Sequence, residues 1–584
     1  MAPNTISVGL PTHWKSKPFQ TAQEAESMDF NFADLLERVA NNIPDREALV
    51  CGDRRASYRQ LDEDSSRFAA HLLSCGISKG DHVGIYGYNS IEWVTAMLGC
   101  YKIGAAPINI NFRYVDEELI YIARDADLTA LVFDVAFSAN VNRIRQHLPL
   151  ITHFVSIDWA DEGESFPEVE GSVCFYDARR DAQDQPLPPR SGDDHYILYT
   201  GGTTGMPKGV VWRQEDAVMI LCGGIDMYTQ EPIATPEAMA DRCLAENAMH
   251  MKSLQVAPLM HGAAQGAIMR ALFEGSTVIL LASKHFDPHE VWQQVEREGV
   301  HILMVTGDAM AKPLMMALEK GKVDGSSYNT STLFAFASTS AVFSPTLKDR
   351  YVEKLPHVVI TDNIGSSESG FTGTTIHEKG KAETNAGGPR VTPARNTVVL
   401  DDELNIIPPG DERVGLLAKS GYIPLAYYKD QAKTAKTFVT AKDGKRYVIP
   451  GDRARHNSDG TITMLGRDSQ CINSGGEKIY AEEVEMAVKA HPDVLDCLVV
   501  ATPHERFGQC VTALVQLHSG ARAPDIDSLH TACASHIARY KLPRRVYYVS
   551  SIKRSPSGKA DYKWAMEEAQ LLYYAQLRTE DVRT

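Results

Sequence analysis

A segment rich in glycine and threonine, residues 200–209 with the sequence TGGTTGMPKG, follows the apolar run at 196–200. Glycines let a ligand approach the backbone N–H groups closely, the hydroxyls donate hydrogen bonds, and Lys208 adds a positive charge. This composition is suited to an oxyanion-rich ligand such as a phosphate chain. The segment is not a Walker A loop, because Pro207 precedes Lys208 and because residues 210–212 predict a second strand instead of a phosphate-binding helix N-terminus.

The charge of the chain excludes one large class of partner. Asp and Glu number 75 against 59 Lys and Arg, so the formal net charge is −16. A surface that neutralises nucleic-acid phosphates would need the opposite balance, and we expect no nucleic-acid partner. Any anionic ligand must therefore be bound by a local device such as the glycine-rich segment.

Cysteine usage and hydropathy indicate the compartment. Ten cysteines are scattered without a Cys-x-x-Cys pair or a Cys/His cluster, which favours reduced thiols over a disulfide framework or a zinc site. The N-terminus lacks the basic and apolar regions of a secretory signal, and the apolar runs are far shorter than the ~20 residues of a membrane-spanning helix. We expect a cytoplasmic protein with no transmembrane segment.

The first two thirds of the chain predict an α/β architecture. Apolar residues at helical spacing from Leu35 to Ile43, ended by Pro44, predict an amphipathic helix. Short apolar strands then alternate with helical stretches, which predicts layered α/β subdomains with largely parallel sheets. The predicted strands are residues 82–86, 130–133, 196–200, 276–281 and 301–305.

The residue composition changes at two places further along the chain. From about Ala386, Gly, Pro and short β-prone pieces such as 396–400 predict a small β-rich subdomain. The polar stretch 466–476 precedes a smaller α+β domain, whose predicted helices and strands are 484–488, 494–501, 511–517 and 562–578. The predicted divisions are an N-terminal extension at 1–29, a large domain at 30–467 and a small C-terminal domain at 468–584, hinged at Asp468.

The sequence YTGGTTGMPKGV at 199–210 resembles the phosphate-binding signature of the adenylate-forming superfamily, which includes acyl-CoA and aryl-CoA synthetases, peptide synthetase adenylation domains and luciferases. Gly201 stands where most members have Ser. Other segments resemble the remaining family motifs in the family's order: CYKIGAAPI at 100–108, PLMH at 258–261, GSSE at 365–368, PGD at 450–452, GRDSQCINSGGEKIYAEEVE at 466–485, YKLP at 540–543 and SPSGK at 555–559. The resemblance covers roughly residues 30–564 and implies the fold of that superfamily.

The resemblance also implies an activity and its cofactors. A carboxylic acid would react with ATP, assisted by Mg²⁺, to give an acyl-adenylate and pyrophosphate, and coenzyme A would then take the acyl group. Positioning and charge stabilisation are what a protein supplies to such a transfer, so no nucleophilic side chain is required. We also expect that the chain could form a homodimer.

Individual roles follow from the matched motifs. The resemblance implies catalytic roles for Lys559, Glu368, Lys208 and His261, and metal-supporting roles for Thr204 and Glu368. It implies ligand-binding roles for Thr200, Gly201, Gly202, Thr203, Thr204, Gly205, Ser340, Asp362, Ser367, Asp452, Arg467, Gly475 and Gly476.

Within this scheme Lys559 and Lys208 have different roles. Lys559 would contact the carboxylate and the α-phosphate, and Lys208 would steady the leaving pyrophosphate. His261 would position substrate and separate the acyl pocket from the thiol channel, without abstracting a proton. The resemblance also implies that the small domain rotates at Asp468 between the two half-reactions, which withdraws Lys559.

Nucleotide contacts depart from the family's pattern at one place. Ile364 stands where an aromatic residue usually stacks on adenine, so an aliphatic contact replaces stacking. Asp362 occupies the position from which the family reads the adenine amino group. Asp452 and Arg467 match the residues that hold the ribose hydroxyls.

The acid and the acceptor stay open. The segment 199–216 resembles a bacterial branch of acyl-CoA synthetases that handle fatty or bulky acids, including steroid side-chain acids. The pocket candidates at 261–265, 306–310 and 339–342 contain small residues, which suits a large apolar acid, although Met260 and Met310 could fill the space for a short one. Two alternatives remain: a ligase that passes the acyl group to an amine or a carrier protein, and a non-catalytic nucleotide-binding or lipid-binding relative.

Overall fold

The computed structural model describes residues 29–159, 164–183, 185–200, 206–226, 229–246, 248, 250–339, 341, 343–377, 389–467, 470–474, 477–504, 508–534, 536–537, 539–554 and 558–581. Nearly all of the predicted N-terminal extension lies outside this range, as does Asp468.

The helices follow the sequence signals closely. The first helix begins where the Asn31 side chain accepts hydrogen bonds from the N–H groups of Ala33 and Asp34, and it ends two residues before Pro44. In chain order the helices are α1 (Phe32–Asn42), α2 (Tyr58–Ser74), α3 (Ile91–Lys102), α4 (Asp116–Asp125), α5 (Ser138–Ile144), α6 (Phe175–Arg180), α7 (Gln214–Leu221), α8 (Pro236–Ala240), α9 (Gly262–Phe273), α10 (Pro288–Glu298), α11 (Gly307–Lys320), α12 (Pro345–Lys354), α13 (Gln431–Thr437), α14 (Ala481–Lys489), α15 (Ile526–Ala534) and α16 (Tyr562–Asp581).

The strands include every one predicted above. In chain order they are β1 (Glu47–Cys51), β2 (Arg54–Ser57), β3 (His82–Tyr86), β4 (Ala106–Asn109), β5 (Leu128–Asp134), β6 (His153–Ile157), β7 (Val173–Cys174), β8 (His195–Thr200), β9 (Lys208–Arg213), β10 (Lys252–Gln255), β11 (Thr277–Leu280), β12 (Ile302–Val305), β13 (Ala335–Thr339), β14 (Val359–Ser366), β15 (Gly370–Ile376), β16 (Arg390–Pro393), β17 (Thr397–Leu400), β18 (Val414–Ser420), β19 (Ala426–Tyr427), β20 (Phe438–Thr440), β21 (Arg446–Val448), β22 (Asp452–His456), β23 (Ile462–Arg467), β24 (Cys471–Ser474), β25 (Glu477–Tyr480), β26 (Val494–His504), β27 (Gly508–Leu517) and β28 (Arg545–Tyr548).

Two sheets confirm the predicted parallel α/β architecture. One has the order β4-β3-β5-β6-β7, with every neighbouring pair parallel. The other is parallel through β1-β11-β10-β12-β13-β14. Strands buried on both faces, such as β3 with its sequence HVGIY, explain the uninterrupted apolar runs in the sequence.

The predicted β-rich subdomain is continuous with the second sheet. Strand β15 turns back antiparallel to β14, and β16 then leads into β23, β22, β18, β21 and β20. A separate core of apolar side chains from these strands lies beneath them, and Ile364 of β14 packs against it.

The strand at 196–200 has partners that the sequence does not reveal. Instead of joining a parallel sheet, β8 pairs antiparallel with β9, and β9 pairs antiparallel with β19. The glycine-rich loop is therefore the connection of a β-hairpin, which confirms that a strand and not a helix follows it.

The C-terminal domain, which carries β24–β28 and α14–α16, has its own sheet and core. Its sheet has the order β25-β24-β27-β26, with β28 parallel to β27. Helix α14 packs its apolar face on β26, as the spacing of Val484, Ala487 and Val488 predicts. No helix among the described residues is long and apolar enough to cross a membrane.

Candidate functional site

The ends of the glycine-rich loop are fixed by strand pairing. Thr200 and Lys208 face each other as the last pair of the β8–β9 hairpin. Just before the loop, Asn109 at the end of β4 forms two hydrogen bonds with the backbone of Tyr199. Its Nδ2 donates to the Tyr199 carbonyl at 2.9 Å, and its Oδ1 accepts from the Tyr199 N–H at 2.9 Å. The predicted ligands Gly201, Gly202, Thr203, Thr204 and Gly205 lie outside the described residues, so their roles stay predictions.

Lys208 carries a positive charge at the exit of the loop. Burial alone would lower the pKa of Lys208, but a hydrogen bond with the Tyr121 hydroxyl and nearby carboxylates raise it. One of these carboxylates belongs to Asp430, whose Oδ2 lies 3.7 Å from Nζ. The ammonium group is therefore charged at neutral pH and can stabilise an anionic leaving group at the loop.

Glu368 lies in the turn between β14 and β15. The Trp212 indole N–H, from β9, donates to the carbonyl of Ser367 at 3.1 Å. The Tyr427 hydroxyl, from β19, donates to Glu368 Oε1 at 2.8 Å. Because β19, β9 and β8 form one small sheet, the same sheet positions both Glu368 and Lys208.

The residues present fit a magnesium ion that arrives with a nucleotide. Such an ion takes one or two protein carboxylates and completes its shell with phosphate and water oxygens. Glu368 supplies one carboxylate, held by Tyr427 of the sheet that also carries Lys208. Within the part of the chain that the structure describes, no group of three or more His, Cys, Asp or Glu side chains could hold a metal ion by itself.

His261 is the residue just before α9, and its side chain makes no capping hydrogen bond to that helix. Its Nε2 is buried and finds no hydrogen-bond partner among the described residues. Burial, together with the positive charges of Lys559 and Arg113, lowers the pKa of His261 to about 4, so the ring is neutral at physiological pH. The turn before it is held by Asn109 Nδ2, which donates to the Met260 carbonyl at 2.6 Å. A buried polar atom in this state can hydrogen-bond a ligand.

Lys559 reaches the site from the C-terminal domain. The preceding Gly558 is buried and has φ +75°, and a Cβ built on it would lie 2.9 Å from Ala309 Cβ and 3.5 Å from Thr306 Cγ2. Gly558 therefore packs directly on the start of α11, within the predicted acid pocket at 306–310. The lysine charge is near enough to contribute to the pKa of His261. The structure thus brings together Lys559, His261 and one wall of the predicted pocket.

Three of the expected nucleotide-binding residues lie on the sheet that leads into the β-rich subdomain: Asp362, Asp452 and Arg467. Asp362 is buried on β14 and pairs with Lys348 of α12, with Nζ 3.2 Å from Oδ2. Asp452 and Arg467 are opposite each other in the β22–β23 ladder. Ser340, Gly475 and Gly476 lie outside the described residues, so their roles and the adenine and ribose contacts stay predictions.

Sequence reasoning missed several residues that organise the site. Asn109 and Tyr427 act through partners far away along the chain: Asn109 and Tyr199 are 90 positions apart, and Tyr427 and Glu368 are 59 apart. Lys348 pairs with Asp362 on the next element along the chain. Asn109 leaves one local signal, because it is a polar residue that ends an apolar strand.

Fold and site together define a two-domain enzyme, in which Gly558 of the small domain contacts α11 of the large one and the charge of Lys559 affects the pKa of His261. The family model described as AMP-binding enzyme matches residues 36–428, and the model of its C-terminal domain matches residues 483–559. The chain belongs to the AMP-binding enzyme family and is an adenylate-forming enzyme.

Relatives and solved structures agree with this assignment. A medium/long-chain-fatty-acid–CoA/3-oxocholest-4-en-26-oate–CoA ligase of Mycolicibacterium smegmatis is 48% identical over 92% of this chain and 96% of its own length. A 3-oxocholest-4-en-26-oate–CoA ligase of Rhodococcus rhodochrous is 46% identical over 93% of this chain and 97% of its own. The fold matches the anthranilate CoA ligase AuaEII in complex with anthranoyl-AMP with a TM-score of 0.78, at 22% identity, over 94% of this chain and 98% of that one.

Proposed function

We propose that this enzyme is an AMP-forming acyl-CoA synthetase for fatty acids and bulky apolar acids. In the first half-reaction a carboxylate oxygen attacks the α-phosphorus of ATP, which forms an acyl-adenylate and releases pyrophosphate. In the second, the thiol of coenzyme A attacks the acyl carbon, the proton of the thiol goes to solvent, and AMP leaves. The observation that carries the proposal is the contact of Gly558 with the start of α11, which brings the charge of Lys559 close enough to affect the pKa of His261.

The first half-reaction must overcome repulsion between a carboxylate and a polyphosphate. Lys559, at the junction of the acid pocket and the nucleotide, lowers that repulsion, because its charge is shared by both reactants. Lys208 stabilises the pyrophosphate as it departs. Mg²⁺, held by Glu368 and the predicted Thr204, would supply charge neutralisation on the phosphates. Tyr427 keeps the Glu368 carboxylate oriented.

The second half-reaction needs a different face of the C-terminal domain. In the proposed scheme that domain rotates at Asp468, Lys559 withdraws, and the chain around Gly475 and Gly476 takes its place, where the lack of side chains admits the pantetheine arm. In the proposed scheme neutral His261, whose Nε2 has no hydrogen-bond partner among the described residues, orients the acyl group between acid and thiol. Its low pKa keeps a second positive charge away from Lys559.

The acid proposed for this pocket is large and apolar. The start of α11, within the predicted pocket at 306–310, carries the small residues Gly307 and Ala309. Met260 is buried, and the side chain of Met310 packs against two apolar cores, so both methionines already have protein partners. The names of the mycobacterial and rhodococcal relatives, which include fatty and cholestenoic acids, support the same choice.

Acid-dependent pyrophosphate release tests the proposal. The purified enzyme, with ATP and Mg²⁺, is offered acetate, octanoate, palmitate and a steroid side-chain acid, each with coenzyme A or with hydroxylamine. We expect release with the long and the bulky acids, and an acyl-CoA product by mass spectrometry. Activity with acetate alone would refute the acid class. An adenylate that reacts with an amine or a carrier protein but not with coenzyme A would refute the acceptor, and no acid-dependent release at all would favour a non-catalytic relative.

A further inference from the structure

Lys312 of the large domain forms a hydrogen bond to the backbone of the C-terminal domain. Lys312 lies on α11, and its Nζ donates to the carbonyl of Leu495 at 2.7 Å, across 183 positions of sequence. Leu495 is at the irregularity where the β26–β27 register shifts between Val494 and Asp496. Such a bulge turns a carbonyl away from the ladder, so it can accept a hydrogen bond from elsewhere.

The Lys312–Leu495 contact is linked, through the C-terminal domain, to the residues on either side of Lys559. Asp496, next to Leu495, accepts two hydrogen bonds from the Arg554 guanidinium, at 2.8 and 2.7 Å. Arg554 in turn donates from Nη1 to the carbonyl of Gly558 at 3.2 Å and pairs with Ala560 in a β-bridge. The bulge and the loop that carries Lys559 are therefore held to each other.

Helix α11 thus contacts the C-terminal domain at two points on one face. Ala309 meets Gly558, and Lys312, three residues later, meets Leu495. Burial lowers the pKa of Lys312, while the charges of Asp308 and Asp496 oppose that effect. A partly buried ammonium group with a carbonyl partner loses a strong hydrogen bond when the domains separate.

We propose that Lys312 is a positioning residue for adenylation: its bond to the Leu495 carbonyl holds the C-terminal domain in the arrangement where Lys559 faces the acid pocket. The bond breaks before the second half-reaction. This inference rests on the proposed function, because it requires two half-reactions that use different arrangements of the domain.

The test compares the two half-reactions in the full-length enzyme. Lys312→Ala is assayed for acid-dependent pyrophosphate exchange and, separately, for thioester formation from supplied acyl-adenylate and coenzyme A. Loss of a charged hydrogen bond worth about 1.4 kcal/mol corresponds to a tenfold lower adenylation kcat, with the KM for ATP unchanged. Thioester formation should be unchanged or faster, because the competing arrangement is less stable.

Two further variants distinguish positioning from general stability. Lys312→Arg retains a cationic donor and should recover most of the adenylation rate. Lys322→Ala removes a surface lysine that pairs with Glu296, beyond the end of the same helix, and should leave both half-reactions unchanged. Equal loss in both half-reactions for Lys312→Ala, or no loss in adenylation, would overturn the proposal. An unaltered enzyme that exchanges no pyrophosphate with any acid would instead refute the proposed function.

Discussion

Gly558→Ala tests whether the contact between the Lys559 loop and α11 is used in adenylation. The substitution places a side chain on a residue with φ +75°, which costs about 1–2 kcal/mol. The new Cβ would also lie 2.9 Å from Ala309 Cβ, closer than carbon atoms approach without displacement, and such overpacking costs about 1–3 kcal/mol. A combined penalty of about 3 kcal/mol in the seated loop predicts roughly 100-fold slower adenylation.

The assay separates this effect from misfolding. Pyrophosphate exchange should fall about 100-fold, whereas thioester formation from supplied acyl-adenylate should stay near the rate of the unaltered enzyme, because the proposed scheme withdraws Gly558 and Lys559 in that step. The second variant, Gly558→Ala combined with Ala309→Gly, removes the crowding but leaves the backbone strain. Its pyrophosphate exchange should be about tenfold faster than that of Gly558→Ala alone. Unchanged exchange in Gly558→Ala would refute the seating of this loop.

Two other predictions concern the large domain. Tyr427→Phe removes the hydrogen bond to Glu368 and should lower adenylation about 5- to 10-fold, from a loss of about 1–1.4 kcal/mol, and raise the Mg²⁺ concentration needed for half-maximal exchange; an unchanged Mg²⁺ titration would contradict the role of this hydroxyl. Because the pKa of His261 is lowered to about 4 in the folded enzyme, the unfolded chain binds a proton first as the pH falls below about 6.5, and the free energy of unfolding should decrease between pH 6.5 and 4. Chemical denaturation across that range should give a shallower decrease in His261→Gln, and identical slopes in the two proteins would refute a neutral buried imidazole.

Local patterns in the sequence predict the elements of this fold better than their partners. Apolar runs such as HVGIY predict buried strands, because a strand covered on both faces needs apolar side chains throughout. The apolar run at 196–200 likewise predicts a buried strand, yet β8 pairs antiparallel with β9 and belongs to neither parallel sheet. Strand pairing depends on long-range packing, which a short apolar run does not encode.

In the candidate site too, the sequence predicts some residues and leaves others unrecognised. Lys208, Glu368 and Lys559 are in motifs whose residue order is distinctive, so the sequence predicts them. Asn109 and Lys312 act through a backbone carbonyl or N–H that any residue could supply, and nothing in the partner segment identifies them. Their contacts depend on the way distant segments come together, and only the folded chain reveals that.

Lys559→Ala tests the central claim most directly, which is that one cation from the C-terminal domain helps a carboxylate become an acyl-adenylate. The substitution is compared with Lys553→Ala, an exposed lysine of the same domain whose ammonium group lies over the Trp564 ring. We predict that Lys559→Ala loses acid-dependent pyrophosphate exchange by at least about 100-fold, as expected for the loss of a preorganised charge at the reacting centre, and still converts supplied acyl-adenylate to thioester. Retained exchange, or an equal loss of both half-reactions, would contradict the account.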